Sequence, residues 1–137
     1  MTLIEVITTE GRMQILKNSF PNDANPIQFG YAGCGISDTV PTVDSTRLGL
    51  ECDPSTHGTY SRVPITATYD EENERVVLEA IFSQTNITNS AVIKEVAIFT
   101  TDILGEGIPL AICQIAPFTK NSSVQLKIDI IISLTSE

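Results

Sequence analysis

The chain has 137 residues, is 42% hydrophobic and only 18% charged, and carries a net charge of −9 from 17 acidic and 8 basic side chains. Its length suits one domain, 1–137, able to bury roughly two thirds of its unfolded surface. Its apolar content excludes a disordered chain. It is mostly Ile, Val and Leu, with no tryptophan, which suits strands, and the carboxylate excess repels phosphate backbones and anionic lipid, so neither nucleic-acid binding nor membrane insertion is expected.

The opening, MTLIEVITTEGRM, does not read as a signal peptide, because it has no basic start and Glu5 interrupts its apolar stretch early. From Thr8 to Asn18 the spacing predicts one short helix. Thr8 or Thr9 serves as N-cap, Glu10 lies in the first turn, Lys17 lies near the end, and Met13, Leu16 and Phe20 form a narrow apolar stripe. Gly11 weakens this helix and Pro21 lies just past it. IQFGYAGCG at 27–35 begins as an alternating strand and runs into glycines, where backbone can bend or be approached closely. The following SDTVPTVDSTRLGLE is turn-rich, with Asp44 or Ser45 placed to cap a single helical turn ending near Leu48.

Beyond this point the pattern is β throughout. RVPITATYD at 62–70 sets Val63, Ile65, Ala67 and Tyr69 on one face against Arg62, Pro64, Thr66 and Thr68. Pro64 marks an edge or a bulge. ERVVLEAIF at 74–82 pairs with it through a polar DEEN hairpin. In NSAVIKEVAIFTTD, strict alternation gives one face Val92, Lys94, Val96 and Ile98 and the other Ile93, Glu95, Ala97 and Phe99. Neither face is polar. Both therefore meet other protein, in the same chain or in a neighbouring subunit, and each charge needs a partner. IPLAICQIA at 108–116 is the next strand. In the last, Val124, Leu126, Ile128, Ile130, Ile132 and Leu134 alternate with Gln125, Lys127, Asp129 and Ser133. The expected fold is mainly β, an antiparallel β-sandwich with one short N-terminal helix.

No motif of catalysis stands out. The single His57 would have to activate Cys34, Cys52 or Cys113, and none sits in a nucleophile turn. The cysteines are odd in number and lack CxxC, which points to free buried thiols in a reducing cytoplasm rather than to zinc. NIT at 86–88 and NSS at 121–123 match a glycosylation pattern by chance if the chain is not secreted. Asp70, Glu71, Glu72 and Glu74 read as a solvated hairpin tip, without the glycine and spaced acids of a calcium loop. Lys94 and Glu95, as strand neighbours, point apart and fit two separate ion pairs better than one catalytic pocket. No catalytic, cofactor or metal site is expected.

The order of these pieces resembles the phage tail-collar fibre domain, the N-terminal attachment module of bacteriophage tail fibres. ITTEGRMQILKNSF at 7–20 stands where that family opens on "ITxxG" and a helix. Thr46, Leu48 and Glu51 match its "T.L..E" element, and Arg62, Pro64 and Ile65 its "R.PI". IKEVAIFTTD at 93–102 is similar to "IREIGLF" before an acidic turn, with Lys94, Glu95 and Phe99 in the matching places and Ala97 where the family prefers glycine. Lys120 precedes a closing strand similar to VQLKIDIIISL. The resemblance implies a structural, non-enzymatic part of a tail, located in the virion, forming a homotrimer on a baseplate. A chain ending at Glu137 is expected to be an adaptor or very short fibre without a receptor-binding tip. Lys94, Glu95, Phe99 and Arg62 are the structural or interface candidates, with Glu95 expected to meet Arg62, Arg75 or backbone amides. The alternative is a small carbohydrate-binding module stacking sugars on Tyr31, Tyr60 and Tyr69.

Overall fold

Alternating apolar residues build two antiparallel sheets in the computed structural model, which describes residues 5–20 and 26–133. The elements run β1 (Glu5–Ile7), α1 (Thr9–Ser19), β2 (Tyr31–Gly35), α2 (Pro54–His57), β3 (Val63–Pro64), β4 (Thr66–Asp70), β5 (Arg75–Phe82), β6 (Ala91–Phe99), β7 (Pro109–Lys120) and β8 (Leu126–Ser133). One sheet has the order β1-β7-β6-β2-β3 and the other β4-β5-β8. The protein is mainly β, two antiparallel sheets consistent with a β-sandwich, as the alternation predicts. The expected strand over 62–70 breaks at Ile65, where the chain passes from one sheet to the other. Pro64 sits on the edge strand β3, where its missing N–H costs no ladder bond.

The main core lies between the sheets. Ala32, Cys34, Val96, Ile98, Ala111 and Cys113 of the larger sheet meet Leu78, Ala80, Phe82, Leu126, Ile130 and Ile132 of the smaller one. Tyr60 stacks on Phe82 with ring centroids 6.5 Å apart. β6 departs from strict alternation. Its ladder with β7 shifts register between Ile93 and Glu95, so that Ile93 faces Phe118 while Glu95 faces Gln114. Ile93 therefore shares the main core with Val96 and Ile98, while Ala97 and Phe99 join Leu48 and Ile112 in a second cluster on the opposite face. That second face is covered within this same chain, by the loop 36–50 that contributes Leu48.

The helix α1 is capped as predicted. The Thr8 hydroxyl accepts from Gly11 N at 2.9 Å and donates to Pro109 O at 2.5 Å. Its orientation differs from the expected one. Gly11 and Gln14 are the buried residues, whereas Met13 (49%), Leu16 (52%) and Phe20 (66%) are exposed. Gly11 wins the inward face because it has no side chain. A Cβ there would meet Leu110 Cα and Pro109 O at 2.8 Å. The helical turn expected around Asp44 is absent. Residues 43–44 form a turn closed by Ser45 N to Thr42 O at 3.0 Å. The extra turn is instead α2, with Asp53 as N-cap and Pro54 opening it, a signal present in the sequence DPSTH.

Gly11→Ala decides between helix propensity and packing. Propensity alone favours alanine in a helix by about 1 kcal/mol. The backbone approach of β7 reverses that sign, and denaturant unfolding should show a loss of about 1–3 kcal/mol. A gain would show that α1 does not pack this closely.

Candidate functional site: two buried carboxylates beneath a loop

β2 reads YAGCG, and its period of two separates its roles. Ala32 and Cys34 point into the main core, while Gly33 and Gly35 lie on the other face, opposite Ala97 and Glu95 of β6. Each glycine leaves room for one carboxylate. A Cβ at Gly33 would lie 2.8 Å from Glu51 Oε2, and a Cβ at Gly35 would overlap Glu95 Oε2 and Leu50 O.

Glu95 is 2% exposed. Its Oε1 accepts from Gly49 N at 2.7 Å, and its Oε2 accepts from Leu50 N at 2.9 Å and Ser37 N at 3.1 Å. Three backbone donors from the two ends of the 36–50 loop thus converge on one side chain. Next to it, Lys94 Nζ pairs with Asp38 at 3.1 Å, and Gln114 donates to Asp38 O at 3.2 Å. Both charged neighbours on β6 therefore hold the same loop, one beneath it and one at its exposed margin. Their partners are separate, as expected, but only Lys94 is in an ion pair: Glu95 is held by backbone amides, and neither Arg62 nor Arg75 is its partner.

Arg75 pairs with Asp70 at the hairpin, and Arg62 pairs with Glu51. The Arg62–Glu51 contact is bidentate, Nε to Oε2 and Nη2 to Oε1, both at 2.8 Å. Arg62 Nη1 also donates to Thr101 O at 2.9 Å and Glu106 O at 2.7 Å, which ties down the turn after β6. The guanidinium lies over the Phe99 ring, 3.6 Å from its centroid. Tyr60 OH donates to Glu51 Oε2 at 2.6 Å and accepts from Cys34 N at 3.1 Å. Burial pushes the Tyr60 phenol well above its usual range, helped by neighbouring Cys34 and Glu51. Alternation placed Arg62 on a solvent face with Pro64. It is 4% exposed, because β3 begins one residue later and leaves Arg62 free of that alternation.

The remaining polar candidates are held apart from these. His57 is buried in α2, with Nδ1 accepting from Asp53 N at 3.2 Å. Cys34, Cys52 and Cys113 are free and buried. Burial raises the Cys34 thiol well above its ordinary value, reinforced by its hydrogen bond with Cys52. Lys120 is fully buried, donating to Asn86 O at 2.5 Å and Asn121 O at 2.7 Å, and burial lowers its pKa. Among the described residues no group of three or more His, Cys, Asp or Glu side chains is placed to hold a metal, and the acceptor oxygens of Glu51 and Glu95 are taken up by protein donors. What this arrangement does is fasten two loops to a sheet. Nothing in the alternation pattern announces the Glu51–Arg62 pairing. The paired glycines of YAGCG are the one local signal that something large approaches that face.

No family model, curated protein or solved structure matches the chain.

Glu95→Ala leaves three amides without their acceptor, and should lower stability by about 3 kcal/mol or more in denaturant unfolding. Glu95→Gln keeps one acceptor oxygen and should fall between. The buried, protonated Cys34 thiol predicts that an aromatic disulfide reagent titrates no cysteine quickly in the native protein and three after unfolding. Rapid labelling of a native thiol would contradict the packing around Cys34 and Cys52.

Proposed function

We propose that this chain is a structural component of a tail, in a bacteriophage or a phage-like contractile particle: a short tail fibre or fibre adaptor attached to the baseplate. The observation carrying this reading is where the residues of the resemblance sit. Three separate motifs are linked here: Arg62 pairs with Glu51 and lies over Phe99, Leu48 shares a buried cluster with Phe99, and Glu95 holds the amides of Gly49 and Leu50 next to Glu51 in the chain. Motifs that are short and degenerate one by one thus form one connected scaffold, which is what a shared fold requires of them. Thr46 is exposed and takes no part.

A homotrimer follows from the same resemblance, with the virion as location and baseplate proteins as partners. The second face of β6 is not its interface, since the chain's own loop occupies it. The outward Met13 and Leu16 of α1 are the better candidates for a contact between copies. The carbohydrate reading loses one of its three aromatics, because Tyr60 is 3% exposed and bonded to Glu51. Tyr31 is half-buried, which leaves Tyr69 as the one strongly exposed tyrosine.

Light scattering on the purified chain should give three times 14.9 kDa, and Leu16→Asp should reduce that mass without loss of the β-rich circular dichroism spectrum. Antibody labelling of particles should mark the tail end. A monomer at every concentration contradicts the free trimer. Label on no particle contradicts the tail assignment itself.

A further inference from the structure

Burial of the inward-facing row falls off along the smaller sheet. Along β5 the inward row runs from Phe82, fully buried, through Ala80 and Leu78 to the half-buried Val76. Across the strands at the less buried end, Tyr69 pairs with Val76 and Val76 with Ile132. Val76 and Ile132 both pack on the main core, so this row faces the interior of the sandwich. Tyr69 is nevertheless 76% exposed. A core position has been left open. The helix α1 reaches over it with Ile15 and Asn18, leaving two adjoining hollows of about 460 and 380 Å³ that share Ile15, Tyr69, Val76 and Ile132. The deeper one has Leu78 and Leu110 in its lining.

The mouth of this groove is acidic. It is bordered by Asp70, Glu71, Glu74 and Arg75 of the β4–β5 hairpin. Arg75 is taken by Asp70, and among the described residues none of the ion pairs uses Glu71, Glu72 or Glu74. A second copy would bring the same hairpin and another net charge of −9, so two such mouths repel. Apolar floor and uncompensated carboxylate rim together select a partner of opposite character. We propose that this groove is the docking site for an apolar, lysine- or arginine-flanked segment of another protein. The docking site depends neither on trimer formation nor on a tail location, so it stands or falls separately from both.

Amide-resolved NMR titration with two synthetic peptides tests it, one alternating leucine with lysine and one alternating leucine with glutamate. The leucine–lysine peptide should bind saturably, with shifts centred on Ile15, Tyr69, Val76 and Ile132, and the leucine–glutamate peptide should not. Ile15→Gln with Tyr69→Ser should weaken binding about tenfold or more, from the loss of two apolar contacts. Ile81→Ser, on the outer face of the same sheet, should leave binding unchanged. Glu71→Gln with Glu74→Gln, on the exposed hairpin, should weaken binding and flatten its dependence on salt. Equal binding of both peptides, or binding indifferent to the Ile15 and Tyr69 changes, overturns the proposal. So do shifts of the Tyr69, Val76 and Ile132 amides with protein concentration alone in the Leu16→Asp variant, which would make the occupant a second copy.

Discussion

The convergence of three backbone amides on Glu95 is the constraint on which the outer half of the larger sheet depends. β6 has no polar face to offer water, so its second face has to be covered, and the chain covers it with an irregular loop. A loop lying on a sheet brings unpaired N–H groups against apolar surface, at a cost that recurs for each buried donor. One carboxylate with several lone pairs satisfies Ser37, Gly49 and Leu50 together. The same contacts keep the charge of Glu95 from being stranded in a dry place. Loop and carboxylate each remove the other's desolvation problem.

The second carboxylate repeats this arrangement with a cation. Glu51, at the end of the covering loop, is held by the fork of Arg62 and by Tyr60. Arg62 passes the connection on to the carbonyls of Thr101 and Glu106 and to the face of Phe99. A buried pair of this kind stabilises little compared with apolar packing of equal volume, but losing either partner leaves a charge uncompensated. Its effect is to fix one position for the loop and one for the turn after β6. Gly33 and Gly35 make both carboxylates possible, since any side chain there would occupy their space.

Strand existence and type were legible where one face meets solvent. Leu126, Ile128, Ile130 and Ile132 point inward as their alternation predicts. Where both faces are buried, alternation carries no information. A register shift within the apolar run of β6 moves Ile93 to another face and leaves no trace in residue type. In α1, Met13, Leu16 and Phe20 read as the inward face, yet the contact is made by Gly11 and Gln14. Close backbone approach rewards the smallest side chain, which propensity counts only as a weakness. The polar scaffold was legible in part. That Glu95 would meet backbone amides follows from its charge inside an apolar strand, whereas its donors lie 45 to 58 residues away in sequence, beyond any local pattern.

One face of the larger sheet is sealed by carboxylates and a loop. The groove near Tyr69 keeps apolar residues exposed under an acidic rim, and the outward side of α1 exposes Met13 and Leu16. Native-state hydrogen exchange tests the central interaction most directly, because Gly49 and Leu50 are exposed residues whose amides are nonetheless bonded. The amides of Ser37, Gly49 and Leu50 should be protected well above their loop neighbours, and all three should lose protection together in Glu95→Ala, with the β5–β8 ladder unchanged. Exchange at the rate of a free loop in the wild-type protein, or independent behaviour of the three amides, would contradict the role assigned to Glu95.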